Sequence, residues 1–541
     1  MKHMALVLIA GCVLAACSGT RYPYVDRAGN PIIRVGLLEN RSELFILVGE
    51  SFSLYSPKGR FIRRIVKGHR WRATIKEAKP ARLRFHLRYW MTSDHKLAFE
   101  KAHELSEKNL PADIIEQDLP SNRWKIPALM KKIYHVVLRQ PFKTRQEAEA
   151  KKKELARKVH LEIMEIVDEP AGGLIEVAGL DTDQRFEIES GSQIVVDRFA
   201  LKNIPVGEGF HWANVADQVY RGNLELLINT RGLLTAVNVL PIESYLQGVV
   251  PSEMRPDFPL EALKAQAIAA RSQVLVKVGR QHLNQGYDVC ATVHCQVYSG
   301  MMRESEQSTK AIKQTAGLVL FAGDRILDAV YSGVCGGHTE NNENVWSGNQ
   351  VPQLRGIFDG RGSPDLLKGL LQQETYFRKW VTGNPPVYCN TVDGDIPEAL
   401  RYTQKYFRWH VQVERPRLEA FIRKATGEHF GVLQDLVVLE RGVSGRIKKL
   451  QVVGSLKTFV IEKDLNIRKA LSETTLYSSA VIIEKEMDAN GLPVTFRFYG
   501  AGWGHGVGMC QTGAARMAYD GKKVEEILHH YYRGARIAPA Y

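Results

Sequence analysis

The segment that most constrains this chain is Pro259–Ser272, which reads Pro-Leu-Glu-Ala-Leu-Lys-Ala-Gln-Ala-Ile-Ala-Ala-Arg-Ser. Alanine is the strongest helix former, and proline suits the first helical turn. Glu261 there favours the positive end of the helix dipole. Leu263, Ala267, Ala270 and Val274 fall on one face at helical spacing. Side chains this small let another backbone come close, so the segment predicts a buried central helix. Gln266 and Arg271 are polar groups on that helix and need partners there, structural or from a bound ligand.

The chain has 541 residues, enough for two to four folding units at about 100–200 residues each. Hydrophobic residues make up 44% and charged residues 24%, which excludes extensive disorder. The formal charge of +14 points to an anionic partner: nucleic acid, anionic lipid or an acidic polymer. The N-terminus narrows this choice. Met1-Lys2-His3-Met4 precedes the apolar run Ala5–Val13 and then Leu14-Ala15-Ala16-Cys17-Ser18. A cationic start, a short apolar core and small residues before a cut site describe a secretory signal. Leu-Ala-Ala-Cys resembles the bacterial lipoprotein box, which implies acylation of Cys17 and a lipid-anchored, exported protein. Ser18 after that cysteine favours an outer membrane if the cell has one. An exported basic chain meets lipid headgroups and cell-wall polymer rather than chromosomal DNA. No helix-turn-helix or zinc-finger spacing supports nucleic acid as a partner.

Residues 31–75 alternate apolar and polar and predict short strands, with a turn at Ser56-Pro57-Lys58-Gly59. Ile133–Leu138 reads as a strand, Thr144-Arg145-Gln146-Glu147 as a capping box opening a helix, and Leu161–Val167 as a second strand. This strand–helix–strand run resembles half of a SPOR repeat, a family that binds peptidoglycan strands stripped of stem peptides. Further on, Leu418–Lys424 reads as helix, and Arg446–Val453 and Val494–Phe498 as strands. Two short helices, Gln511–Ala518 and Val524–Tyr532, close the chain.

Five segments carry candidate chemistry. In Leu240–Met254, Glu253 follows an apolar stretch and precedes Met254, Phe258 and Pro259. A carboxyl group that loses water there has its pKa raised, as a general acid at neutral pH requires; a helix-end carboxylate accepting backbone hydrogen bonds is the alternative. The central helix, with Gln266 and Arg271, is the second segment. Tyr287–Gly300 contains Cys290, His294, Cys295, Gln296 and Tyr298, and Tyr331–Glu340 contains Cys335 and His338. Cys290, His294, Cys295 and Cys335 could supply a tetrahedral zinc site, or Cys290 and Cys295 a disulfide. In Tyr499–Ala514, glycine recurs at alternate positions from Gly500 to Gly508. On a strand this leaves one face bare, with Trp503 and His505 on the other as a sugar platform or as packed core.

Together these segments resemble the SpoIID/LytB family, strongly over Tyr220–Trp346 and Gly502–Ile537, and again at Arg408-Trp409 and Ser444-Gly445-Arg446. The resemblance implies a peptidoglycan lytic transglycosylase or, as in LytB members, an amidase enhancer. It implies Glu253 as the catalytic acid and base. Gln296, Tyr298, His338 and His505 would lie around the cleft, and Gln266, Arg271 and Trp503 are the further substrate-binding candidates. It requires no cofactor and allows zinc. Its partners are peptidoglycan glycan strands, the membrane through Cys17, and a cell-wall amidase. The expected fold class is α+β, with mixed strands and a buried Ala-rich central helix in the catalytic body, plus a small α/β module. The expected division is a signal and lipobox over 1–17, a strand-rich region over 18–130, the SPOR-like module over 131–170 and the catalytic domain over 171–541.

Overall fold

The computed structural model describes residues 24–541 except 50, 67, 130, 131, 157, 347, 364 and 366, so the signal segment and Cys17 lie outside the described residues. The fold is α+β, as expected. Among the described residues no helix is long and apolar enough to cross a membrane.

The alternation in residues 31–75 becomes strands. Ile32–Arg41 buries Ile33 and Val35 and pairs antiparallel with Leu234–Pro241, placing Val35 opposite Asn238. These strands are the second and third of a seven-stranded sheet that continues through Asn223–Ile228, Ser192–Val195, Phe52–Tyr55 and Phe61–Ile65. At its other edge the two-residue strand Val289–Cys290 runs parallel to Ile32–Arg41. A six-stranded sheet, with Glu43–Leu47, Arg70–Lys79 and Gly172–Gly179 among its strands, shares one core with the first.

That core also holds the central helix, Leu260–Lys277. Every residue from Ala265 to Val276 is buried, so the helix is enclosed on all faces rather than on the one its periodicity suggested. Four further helices (Ile242–Glu253, Glu306–Gln314, Gln511–Tyr519 and Val524–Tyr531) and the strand Leu318–Ala322 pack around it. The alanines permit this crowding. Arg271 is wholly buried and binds Glu243 through two 2.7 Å hydrogen bonds, with a third bond of 3.0 Å to the Leu318 carbonyl. Glu243 also accepts from the Tyr541 hydroxyl at 2.6 Å, which ties the C-terminal residue to the start of the Ile242–Glu253 helix.

Residues 82–169 form a unit with a core of its own. Its order is strand Arg82–Thr92, helix His95–Glu107, strands Ala112–Asp118 and Lys132–Leu138, helix Arg145–Leu155 and strand Glu162–Glu169. The four strands make one antiparallel sheet with Arg82–Thr92 and Lys132–Leu138 at its centre. Thr144 and Glu147 close the capping box read from the sequence. The expected boundary of 131–170 therefore encloses only the second half of a βαββαβ unit. Its first half lies in a basic stretch for which the sequence reading assigned no elements, although Arg82-Leu83-Arg84-Phe85-His86-Leu87-Arg88 alternates as a strand does.

A third core lies between the sheet of Arg408–Glu414, Pro493–Ala501 and Val481–Met487, the helix Arg415–Thr426, and the sheet of Leu433–Arg441, Ile447–Gly454 and Thr458–Glu462.

Replacing Arg271 by methionine leaves the Glu243 carboxylate without its buried cation. A loss of about 3 kcal/mol or more in urea unfolding of the full chain is expected, with Arg271→Lys milder because it keeps the charge but not the fork. A change below about 1 kcal/mol for the methionine variant would contradict a load on this pair.

Candidate active site

Glu253 is the last residue of the helix Ile242–Glu253 and is partly exposed. Its Oε1 accepts a 3.0 Å hydrogen bond from the Val297 amide. Loss of water raises its pKa from 4.5 to about 6, against the opposing pull of that amide, the Lys277 charge, and hydrogen bonds from Gln511 and Tyr331. The C-terminal end of a helix, where Glu253 sits, also disfavours negative charge. The carboxyl group thus has the acidity of a proton donor near neutral pH, while its hydrogen bonds still allow it to accept a proton.

Under Glu253 lies a polar layer. The Gln296 amide nitrogen is 3.1 Å from the Ala270 carbonyl, 3.0 Å from Gln273 Oε1 and 3.1 Å from the Tyr331 hydroxyl, while its oxygen accepts from Tyr245 at 3.1 Å. Tyr298 donates to Asn238 Oδ1 at 2.8 Å. Gln511 donates both to the Glu253 main-chain oxygen (3.1 Å) and to Gln266 Oε1 (3.2 Å). Gln266, Arg271, Gln296 and Tyr298 are all 4% exposed or less. The structure engages all four inside the protein: Gln266 and Gln296 in the layer next to Glu253, Tyr298 on Asn238, and Arg271 on Glu243 at the opposite end of the Glu253 helix.

The glycine run does not form one bare strand face. The strand ends at Ala501, and Gly502, Gly504, Gly506 and Gly508 all have positive φ, from 70° to 102°. Two of these positions show why only glycine fits. A Cβ on Gly506 would lie 2.3 Å from the Arg446 guanidinium carbon, and one on Gly508 would lie 2.0 Å from the Val330 carbonyl oxygen. Trp503 stacks on Tyr406, with centroids 4.4 Å apart. His505 faces the exposed Trp346 at 4.8 Å, and burial lowers its pKa to about 3, so it is neutral. His338 is buried with Nδ1 2.7 Å from the Thr339 carbonyl, and burial lowers its pKa as well. Arg446, read as part of Ser444-Gly445-Arg446, hydrogen-bonds the carbonyls of Cys335 and Gly504 at 3.2 and 3.4 Å.

His282, Cys290, His294 and Cys295 bring one donor atom each within 4.8 Å of the others. His282 Nε2 is 3.2 Å from Cys295 Sγ, and His294 Nδ1 is 3.8 Å from both sulfurs. Hydrogen bonds from Cys295, His282 and His294 hold the Cys290 thiol below its usual range, although burial acts the other way. Both thiols are free. Two thiols and two imidazoles at these separations fit a tetrahedral zinc site, whose donor–donor edges are about 3.5–3.7 Å. Cys335 is not part of this set. It lies in a second cluster with Asp359, Cys389 and Cys510, because the paired strands Tyr331–Ser332 and Met509–Cys510 carry it there. The donor that takes its place is His282, eight residues before Cys290.

Parts of the chain match known proteins. The family model described as stage II sporulation protein, SpoIID, matches residues 230–321, which contain Glu253, the central helix and the Cys/His cluster. A domain of unknown function, DUF8618, matches residues 340–508. An uncharacterized protein of Brachyspira hyodysenteriae is 30% identical over 59% of this chain and 72% of its own length. Stage II sporulation protein D of Bacillus subtilis is 26% identical over 65% of this chain and 88% of its own. The amidase enhancer of the same organism is 26% identical over 54% of this chain, but the match spans only 40% of that relative.

The chain belongs to the SpoIID family. Within this SpoIID body, sequence reasoning singled out Glu253 but not the groups that hold it. Val297 acts through its amide, which no side-chain pattern reveals. Tyr331 and Gln511 were inside quoted motifs but are brought to Glu253 only by the parallel pairing of Tyr331 with Met509. His282 could have been found by extending the cysteine spacing backwards.

The raised acidity constant has a thermodynamic consequence. The stability that Glu253 contributes is greatest below the ordinary carboxyl value of 4.5 and is lost as pH rises through about 6. Glu253→Gln should therefore be more stable than the parent at about pH 8, by roughly 2 kcal/mol, and nearly equal to it at about pH 4. Denaturant unfolding at the two pH values checks this, and a glutamine variant less stable at the higher pH would show that the carboxylate is favourably solvated.

Proposed function

We propose that this protein is a peptidoglycan lytic transglycosylase acting on glycan strands stripped of stem peptides, with Glu253 as its acid and base. The observation that carries the reading is the Glu253 carboxyl group itself: partly dehydrated, with a pKa of about 6, and anchored by the Val297 amide at 3.0 Å in the family-matched segment. Protonated Glu253 gives its proton to the glycosidic oxygen between N-acetylmuramic acid and N-acetylglucosamine as the C1–O bond breaks. The carboxylate so formed takes the proton of the muramyl 6-hydroxyl, whose oxygen bonds to C1 and closes a 1,6-anhydro ring. Glycosidases that use water need a second carboxylate or an enzyme nucleophile. Here the internal hydroxyl replaces water, so one carboxyl group serves both steps.

The surrounding residues support this use. Val297 and Gln511 fix the helix end, and the Gln296–Tyr331–Tyr245 layer keeps the floor rigid. Zinc held by His282, Cys290, His294 and Cys295 would supply structural cross-linking and no proton. The held loop includes Cys295, two residues before the Val297 amide. Exposed Trp346 beside His505 offers an apolar face for a sugar ring. The basic charge of the chain suits the lactyl carboxylates of bare glycan. The 82–169 unit is the candidate glycan-holding module, and the N-terminal lipobox the candidate anchor in the cell envelope.

A binding scaffold that enhances an amidase is the second reading, supported by the amidase enhancer relative. Mass spectrometry of bare and intact glycan after incubation with the protein separates the two. New anhydro-muramyl ends are expected, more on bare glycan, falling about a thousandfold in Glu253→Gln. Glycan binding with no such ends would favour the scaffold. Cleavage that survives Glu253→Gln but vanishes with a chelator would instead place the chemistry on metal.

A further inference from the structure

A second set of ligating groups lies away from His282, Cys290, His294 and Cys295. Cys335, Asp359, Cys389 and Cys510 are each 2% exposed or less, and their donor atoms lie within 4.8 Å of one another. Cys335 Sγ is 3.6 Å from Cys389 Sγ and 3.0 Å from Asp359 Oδ2. A tetrahedron of zinc–sulfur bonds has sulfur–sulfur edges of about 3.7 Å, whereas a disulfide brings the sulfurs to about 2.05 Å. We propose that these three cysteines and Asp359 form a buried structural zinc site, distinct from the His282–Cys295 cluster.

Three observations support it. The sulfurs are placed to act as ligands. Main-chain amides point at them: Gly337 N at 3.3 Å from Cys335 Sγ, and Cys335 N and Gly513 N at 3.2 and 3.4 Å from Cys510 Sγ. Cys510 caps the nine-residue helix Gln511–Tyr519, at the end that favours negative charge.

The carboxylate is oriented from behind, as metal-binding carboxylates are. Asp359 Oδ1 accepts from the Tyr531 hydroxyl at 2.8 Å and lies 3.3 Å from His530 Nε2, leaving Oδ2 turned toward Cys335.

The frame is rigid. Asp359 N donates to the Gly337 carbonyl at 2.9 Å, and Tyr388 N donates to the Asp359 carbonyl at 2.8 Å. These two bonds cross-link the segments that bear Cys335, Asp359 and Cys389. Gly513 leaves the space the carboxylate fills, since a Cβ there would stand 2.7 Å from Asp359 Oδ2.

Zinc entry would release the thiol protons to water and leave a dication among three thiolates and a carboxylate.

The site would knot four separated segments directly behind the active site. Gln511, which holds the main chain of Glu253, is the residue after Cys510. Ser332 pairs with Cys510 in the same two-stranded ladder that brings Tyr331 to Glu253.

Native mass spectrometry and metal analysis of the full chain, expressed with zinc, test the assignment. In Cys290→Ser/Cys295→Ser, one zinc per chain should remain, and adding Cys389→Ser should remove it. A Cys389→Ser variant that does not fold leaves a test on the parent chain. After unfolding with chelator and no reductant, Cys335, Cys389 and Cys510 should all be alkylated as free thiols, and cobalt put in place of zinc in Cys290→Ser/Cys295→Ser should show sulfur-to-metal charge-transfer absorption. A Cys335–Cys389 disulfide, or absence of zinc from folded Cys290→Ser/Cys295→Ser, would overturn the proposal.

Discussion

The hydrogen bond from the Val297 amide to Glu253 joins the two halves on which this structure depends. On one side is a helix whose last residue is the carboxylate. On the other is a loop in which His282, Cys290, His294 and Cys295 cluster and the next residue, Gln296, bonds to the central helix and Tyr331. A carboxyl group in so dry a place would otherwise simply keep its proton. One amide donor, with Tyr331, Gln511 and Lys277 nearby, offsets enough of the desolvation to leave it near pH 6. A group at that value can give a proton and take one back under the same conditions.

This balance requires that little moves, and the fold provides that by crowding. The central helix is closed in on every face by four helices and a strand, and alanine makes the close contacts possible. Arg271, whose fork is taken up by Glu243 and Leu318, fixes the helix against the start of the Glu253 helix. Across the site, the glycine loop of residues 502–508 passes so close to Val330, Ser332 and Arg446 that a Cβ at Gly508, Gly504 or Gly506 would collide with them. Gln266, Arg271, Gln296 and Tyr298 are thus taken up by partners inside the protein, while Trp346, Trp503 and His505 are more exposed.

How much of this was legible depended on the range of the interactions. Local signals read well. The capping box at Thr144, the helices beginning at Gln511 and Val524, and the strands around Ile447 and Pro493 stand where the sequence placed them. Glu253 was legible because its apolar neighbours are adjacent in sequence. Non-local partners were not. Asp359 joins Cys335, Cys389 and Cys510 from four separate segments, with no spacing to reveal it. Cys335 was assigned to the other thiols on proximity in sequence, and the sheet pairing sends it elsewhere. The glycine alternation suggested a strand because period two is the strand period, but positive φ at every second residue produces the same pattern in an irregular loop. The 82–169 unit was half seen: Arg82–Thr92 alternates like a strand, but its partners Lys132–Leu138 and Glu162–Glu169 lie far along the chain.

The central claim is that a single carboxyl group, protonated near neutrality by its surroundings, performs the cleavage. The most direct measurement is the pH dependence of kcat/KM for release of anhydro-muramyl ends from bare glycan. A single descending limb with a midpoint near the Glu253 value of about 6 is predicted, with activity falling as pH rises through it. A rate that is flat across this range, or that climbs with pH through it, would contradict Glu253 as the proton donor.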